Sequence, residues 1–250
     1  GEFTSVSFPF AAHADRGVRV VETPLAGLAD AVGPDTDWVA VSAVQSADGQ
    51  VADLDAIEAA CARHGAEMLV DLTQSAGWLD VDASRYAVTV CGGYKWLLSP
   101  RGSAFLTVRP DVLPRIRPLA AGWFAADDVW DGIYGLPLRL ATSARRLDVS
   151  PAWHSWVGTL ASLELLEGIG VTALQDHALA VAGAFTVAAG LPPAESAILS
   201  LETDDAAAGV LEEYAVMAAQ RAGRLRLSFH VNNTVAEVEA LGRALRGHVR

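Results

Sequence analysis

Three polar side chains, Asp71, Gln74 and Lys95, follow the points where two apolar strands are predicted to end. Asp71 closes the run "EMLVDL", and Gln74 lies one turn later in "DLTQ". Lys95 follows the next run, "AVTVCG", directly behind the glycines at 92–93 and a tyrosine. In an open parallel sheet, ligands bind outside the carboxyl ends of the strands. We therefore expect an acid, an amide and an amine to face one crevice.

This set of groups suits pyridoxal phosphate. A lysine amine forms a Schiff base with the cofactor aldehyde, and a carboxylate keeps the pyridine nitrogen protonated so that the ring accepts electrons from a substrate carbanion. Gln74 can hydrogen-bond the phenolic oxygen of the ring, while Gly92 and Gly93 let the backbone turn sharply and approach a ligand. A lysine at a strand end is usually a solvated surface residue. The prediction of a cofactor site therefore depends on finding Asp71, Gln74 and Lys95 together.

The elements that position these groups are predicted from alternating patterns in the first half of the chain. Near-continuous apolar strands that alternate with helices indicate an α/β fold with a three-layer, mostly parallel sheet, covered on both faces. The segment "ADLDAIEAACARHG" has apolar residues at helical spacing, and Gly65 ends that helix. The predicted strands are 18–22, 38–44, 67–72, 87–92 and 102–110.

The second half is predicted to hold a long loop and a small α/β subdomain. Residues 118–152 are rich in Gly, Pro, Asp and Trp, as is typical of a functional loop or lid. Thr234 and Glu237 form a capping box that starts the last helix at 235. Between the long loop and this last helix we expect helices at 153–190, a strand at 196–202, a helix to about 221 and a strand at 224–229. The predicted units are a large domain (1–150), connecting helices (151–190) and a small subdomain (191–250).

Composition limits the classes of partner. The formal net charge of -12 argues against nucleic acid or anionic membrane as a partner, and favours a small molecule. No stretch reaches the roughly 18 uninterrupted apolar residues that would predict a membrane span. Cys61 and Cys91 are too few for a disulfide framework and lack the CxxC spacing of a metal site, so we expect a reducing cytoplasm.

Residues 70–110 and 224–234 resemble the class V aminotransferase family of fold type I pyridoxal phosphate enzymes. This family also includes cysteine desulfurases, kynureninases and isopenicillin N epimerase-like proteins. The resemblance is carried by D-x-x-Q, G-x-K and R-[LIV]-S elements in that order, which together are more specific than any one of them. Family members usually carry a longer N-terminal portion with a phosphate-binding turn and a stacking aromatic residue. Neither feature is recognisable here, because "GEFTSVSFPF" resembles the segment that follows them, so we expect the N-terminal part of the usual fold to be absent from this sequence.

The resemblance implies a role for each matching residue. Asp71 would be the partner of the pyridine nitrogen, and Gln74 the partner of the phenolate. Lys95 would be the Schiff-base lysine, with Tyr94 as a phosphate contact. Arg226 matches the position that binds the substrate carboxylate, a task suited to a planar guanidinium. A homodimer with both sites near the interface is also implied.

The function predicted from these features is that of a pyridoxal phosphate enzyme acting on an amino acid or amine, most simply an aminotransferase. A lyase or hydrolase of kynureninase type and an epimerase share the same chemistry and stay open. Desulfurase activity is disfavoured, because no cysteine follows Arg226, where a desulfurase would carry its nucleophile. A noncatalytic, cofactor-free relative or fragment that serves as an interaction partner is the alternative of another class.

Overall fold

The computed structural model describes residues 1–250 and contains six α-helices and seven β-strands. The helices are α1 (Thr4–Ala11), α2 (Leu54–His64), α3 (Trp153–Ile169), α4 (Val171–Ala189), α5 (Ala207–Glu213) and α6 (Val235–Leu245). The strands are β1 (Trp38–Ser42), β2 (Glu67–Asp71), β3 (Val88–Gly92), β4 (Ala104–Val108), β5 (Ile198–Leu201), β6 (Ala219–Arg221) and β7 (Arg224–Ser228).

The larger sheet has the strand order β1-β2-β3-β4, so that the ends of β2 and β3 are neighbours. The first three strands are parallel, and β4 runs antiparallel to β3. Helix α2 connects β1 to β2 and buries Ile57, Ala60 and Cys61 against one face of the sheet. It ends as predicted at Gly65, whose φ of 74° is a left-handed conformation that glycine adopts without strain. The predicted α/β fold with a mostly parallel sheet is confirmed.

The opposite face of this sheet is only partly covered. One partly buried residue from each strand packs beside the buried Val112, and Leu106 of β4 is 42% exposed. Strands β1 and β4 are the two edges of the sheet, and neither pairs with a further strand. The four packed residues are Trp38, Leu69, Val90 and Val108.

The smaller sheet, in the order β5-β7-β6, is antiparallel throughout. Its core joins Leu225 and Leu227 of β7 to apolar side chains of α4 and α6. The capping box at the start of α6 is confirmed: the Thr234 hydroxyl accepts the Glu237 N–H, and the Glu237 carboxylate accepts the Thr234 N–H. The two sheets occupy residues 38–108 and 198–228, while the predicted domain boundaries at 150 and 190 stay a prediction.

Helix α4 is the one helix that is long and apolar enough to cross a membrane by length and composition alone. In this fold the apolar composition of α4 is explained by its place in the core. Val181, Ala182 and Phe185 are fully buried and pack on the small sheet and on α6. Core helices of globular proteins pass the same test, so α4 is weak support for a membrane span.

Two predictions about secondary structure are wrong. Residues 18–22 are not a strand, because no neighbouring strand pairs with them and Val21 points into solvent. The helix predicted to reach about 221 ends at Glu213, and residues 219–221 form β6 instead. Positive φ angles at Ala222 and Gly223 build a two-residue hairpin turn from β6 into β7, which propensity alone did not reveal. The long segment 118–152 holds only two short 3₁₀ helices and one isolated bridge, as expected of a loop.

Candidate active site

Asp71 is the last residue of β2, where its backbone pairs with Ser42 of β1 and Val90 of β3. Its side chain is buried, with 8% exposure. Carboxylate Oδ1 accepts the backbone N–H of Thr73 at 2.8 Å, which fixes the turn after the strand. Oδ2 accepts no hydrogen bond from the chain and forms no ion pair. Half of this buried carboxylate is therefore free to meet a ligand.

Lys95 lies in a tight loop that connects β3 to β4. The loop is closed by hydrogen bonds from Leu98 N–H to the Lys95 carbonyl at 3.0 Å and from Ser99 N–H to the Gly93 carbonyl at 3.0 Å. The Lys95 ammonium has no carboxylate partner, and Nζ lies 5.5 Å from the centre of the Phe3 ring and 5.9 Å from that of Tyr94. It is the only lysine in the sequence, since the other 17 of the 18 basic residues are arginines.

The environment of Lys95 disfavours its charged form. Burial of the ammonium lowers its pKa, and the positive charge of Arg226 lowers the pKa further. The carboxylate of Asp71 acts in the opposite direction, while Arg221 and Arg101 add weaker repulsion. A lysine that loses its proton more readily than usual is suited to act as a nucleophile and a general base.

Gln74 is buried at the junction of the two sheets. Its Oε1 accepts hydrogen bonds from the indole N–H of Trp96 at 3.1 Å and from the guanidinium of Arg226 at 3.3 Å. Its Nε2 donates to the hydroxyl of Ser46 at 3.1 Å. One N–H of the amide is left over, because the group has two donors. The structure thus leaves Gln74 one donor for a ligand oxygen.

Arg226, on β7, comes from a point 152 residues further along the chain than Gln74. Its Nη2 donates to Gln74 Oε1 and to the Ser228 hydroxyl, while its Nε is buried without a hydrogen-bond partner. Burial and the nearby Arg221 lower the pKa of this guanidinium. The neighbouring Arg224 is different, because it is bound by Glu202 at 2.7 Å. Of the two strand arginines, only Arg226 keeps its charge without an anion.

Tyr94 and Gly92 lie beside Lys95 in the sequence, and each makes a different kind of contact. The exposed Tyr94 ring stacks under the guanidinium of Arg101 at 4.2 Å. The Gly92 N–H donates to the Thr73 hydroxyl at 3.0 Å. Neither Gly92 nor Gly93 has a positive φ, so the expected sharp turn is not why glycine is needed. Space is the reason at Gly93, where an added Cβ would lie 2.8 Å from the Ser103 hydroxyl.

Sequence reasoning missed several residues that border this cluster. The Glu2 carboxylate accepts the Ser42 N–H and hydroxyl, both at 2.7 Å, and so holds Phe3 beside Lys95. His230 hydrogen-bonds the Trp96 carbonyl. No short motif marks these contacts, which join distant parts of the chain. The solitary lysine was visible in the composition and would have strengthened the choice of Lys95.

The site brings together Asp71, Gln74, Lys95 and Arg226. A buried carboxylate with one free oxygen, an amine with a lowered pKa and a guanidinium without an anionic partner are the groups that a pyridine aldehyde and a carboxylate-bearing substrate require. The residues present therefore fit pyridoxal phosphate, and Tyr94 and Gly92 lie where they could line its position.

Comparisons with known proteins agree with this chemistry. A family model described as "Aminotransferase class-V" matches residues 11–188. The uncharacterized aminotransferase YcbU of Bacillus subtilis (strain 168) is 32% identical over 257 residues, and the match covers 95% of this chain and 68% of that protein.

Solved structures show the same fold. The cysteine desulfurase CsdA from Escherichia coli has a TM-score of 0.82 at 20% identity, covering 98% of this chain and 69% of that one. The cystine C-S lyase C-DES, in complex with its reaction product cysteine persulfide, has a TM-score of 0.78 at 26% identity, covering 90% of this chain and 64% of that one. With the family model spanning most of its residues, the chain belongs to the class-V aminotransferases, pyridoxal phosphate-dependent enzymes of fold type I that act on amino acids.

Proposed function

We propose that this chain binds pyridoxal phosphate covalently through Lys95 and transfers the amino group of an amino acid or amine. The observation that supports this most directly is the isolation of Lys95. It is the only lysine, its ammonium has no carboxylate partner, and it lies among the charges of Asp71 and Arg226. Partial burial of an unpaired ammonium costs free energy, so a lysine without a role is usually found in solvent.

Each residue of the site has a task in this proposal. When bound, the cofactor supplies an electron sink for the pair released at the substrate α-carbon. Asp71 presents its free Oδ2 to the pyridine nitrogen, and Gln74 donates its remaining N–H to the phenolic oxygen. Lys95 removes the proton from the substrate α-carbon, which requires an amine that loses its charge easily.

Arg226 binds the carboxylate of the substrate. Its guanidinium is held at one end by Gln74 and Ser228, so its remaining N–H groups stay available to an anion. Such charge-assisted hydrogen bonds are short and strong, and they fix the orientation of the α-carbon. Tyr94 and Gly92 are assigned to the phosphate end of the cofactor.

Borohydride reduction followed by mass measurement tests the covalent link. Because Lys95 is the only lysine, the chain offers two amines to the cofactor aldehyde: Nζ of Lys95 and the α-amine of Gly1. We expect one reduced pyridoxyl adduct per chain, mapped to the peptide that contains Lys95. An adduct on Gly1 alone, or none at all, would refute the proposal and favour the noncatalytic interaction partner.

A lyase reaction is the second candidate, and the similarity to C-DES is the observation that favours it. An epimerase would use the same residues. Product analysis separates them, because transamination leaves an oxo acid and the amine form of the cofactor, while elimination leaves the aldehyde form. A desulfurase that carries sulfur on its own cysteine is disfavoured further, since Cys61 and Cys91 are buried and burial raises the pKa of Cys91 to about 12.

We also propose a cytoplasmic homodimer. Two unpaired, buried cysteines are consistent with a reducing compartment. Helix α3 supports the dimer, because Trp153, Val157 and Leu160 leave an apolar stripe in solvent.

Light scattering tests this assembly with two valines that are equally exposed, at 74% each. We expect Val157→Glu on α3 to halve the measured mass and Val187→Glu on α4 to leave it unchanged. A wild-type chain that runs at 26.2 kDa would contradict the dimer.

A further inference from the structure

His230 contacts the residue that directly follows Lys95. Its imidazole ring stacks on Trp96, with ring centres 5.0 Å apart and planes inclined by 20°. Its Nε2 lies 2.8 Å from the Trp96 backbone carbonyl. His230, which lies 134 residues further along the chain, therefore contacts both the ring and the backbone of Trp96.

The hydrogen bonds of the imidazole assign its protonation state. Nδ1 lies 2.6 Å from the Val231 N–H and accepts from it, so it cannot carry a proton. The proton of the neutral ring must then lie on Nε2, which donates to the Trp96 carbonyl. Burial lowers the pKa of His230, the hydrogen bond to the Trp96 carbonyl raises it, and the nearby His177 lowers it. The net direction is a lowered pKa, which favours this neutral form.

The turn behind His230 is itself fixed. The His230 N–H donates to the Asn233 side-chain oxygen at 2.8 Å, and His177 of α4 bonds the Asn233 carbonyl at 3.0 Å. The imidazole is therefore anchored to the small sheet through β7 and to α4 through Asn233. Arg226 lies on β7, four residues before His230, which follows the end of that strand.

We propose that His230 is a positioning residue that keeps Lys95 at a fixed separation from Arg226 by binding Trp96. Lys95 lies in the loop between β3 and β4 of the larger sheet and Arg226 lies on β7 of the smaller one. Trp96 links these parts twice, once through His230 and once through Gln74. Under the function proposed above, on which this inference rests, the α-carbon of a substrate held by Arg226 then stays within reach of the Lys95 amine. Without the His230 contact, Lys95 would move toward solvent and away from Arg226.

Competitive acetylation across pH measures this without cofactor or substrate. Trace acetic anhydride is added to the 250-residue chain, with free phenylalanine as the standard, and the Lys95 peptide is quantified at each pH. The midpoint of the profile reports the pKa of Lys95. In the wild type we expect it below the ordinary value for lysine, about 10.4.

Three variants separate the hydrogen bond from the stacking and from general stability. His230→Phe keeps the stacked ring but loses the donor, and we expect the midpoint to rise by about one pH unit, a tenfold change in the uncharged fraction. His230→Gln keeps an N–H that can reach the Trp96 carbonyl, and should stay near the wild-type midpoint. His64→Phe, on the exposed end of α2, is the matched control and should not change it.

An unchanged midpoint in a folded His230→Phe chain would overturn the proposal, and so would equal shifts in the Phe and Gln variants. If His230→Phe fails to fold, Asn233→Ala loosens the turn while it keeps the imidazole. A smaller rise in the midpoint would then support the proposal, and no rise would overturn it. A midpoint shift together with no borohydride-stable adduct would refute the proposed function and leave the role of His230 standing.

Discussion

Replacing Lys95 by Ala should leave a folded chain that retains no pyridoxal phosphate after borohydride reduction and dialysis. Lys95 supplies the only side-chain amine, so no second lysine can substitute for it. A positioned acid or base typically contributes a factor of about 10²–10⁴ to the rate, and we expect turnover to fall by that range. Intact mass reports the covalent loss, and product formation from a panel of amino acids reports the rate.

Lys95→Arg is the matched control for this experiment. Arginine keeps the positive charge near Phe3 and Tyr94, but its guanidinium does not lose a proton and forms no stable link to an aldehyde. We expect it to be as inactive as Lys95→Ala, and added methylamine to restore part of the activity of the Ala variant only. Activity that survives in Lys95→Arg would mean that the lysine has only a structural role.

Asp71→Asn should lower turnover without lowering stability. Asparagine keeps an oxygen that can accept the Thr73 N–H, so the turn after β2 is preserved. It removes the negative charge that Oδ2 offers to a protonated nitrogen. A hydrogen bond to a charged group is worth about 1.5–3 kcal/mol, which corresponds to a loss of about 10- to 100-fold in kcat.

Asp71→Ala provides the comparison, because it removes the acceptor as well as the charge. We expect its melting temperature to fall below those of the wild type and of Asp71→Asn, while its turnover falls at least as far as in Asp71→Asn. If Asp71→Asn instead retained full turnover, Asp71 would only fix the turn, and another group would have to meet the cofactor nitrogen.

The fold was predictable wherever local patterns agree with the tertiary structure. The strands predicted at 38–44, 67–72 and 87–92 form as β1, β2 and β3, whose apolar residues are largely buried. The capping residues Thr234 and Glu237 define the start of α6 by their own hydrogen bonds. The segment 18–22 has the same β-rich composition, yet it forms no strand. Strand formation depends on a partner, and a partner is not a local property.

The site was predictable in its residue types but not in its contacts. Asp71 and Lys95 follow adjacent parallel strands, so the sheet topology alone brings them to one edge. The contact of Arg226 with Gln74 and that of His230 with Trp96 each join the two sheets. Such pairs depend on how the second sheet lies against the first, which one sequence does not reveal. The roles of these residues stay predictions until the variants are measured.

The two free edges of the larger sheet have a consequence for handling the purified chain. Strand β4 presents unpaired backbone groups beside the exposed Leu106, whereas β1 is partly closed by the Glu2 carboxylate, which accepts the Ser42 N–H. Unprotected edges of this kind act as templates on which other chains add as extra strands, and natural proteins usually cover or charge them. Leu106 is apolar and carries no charge to oppose this. We therefore expect association through β4 to increase with protein concentration, which light scattering over a concentration series checks.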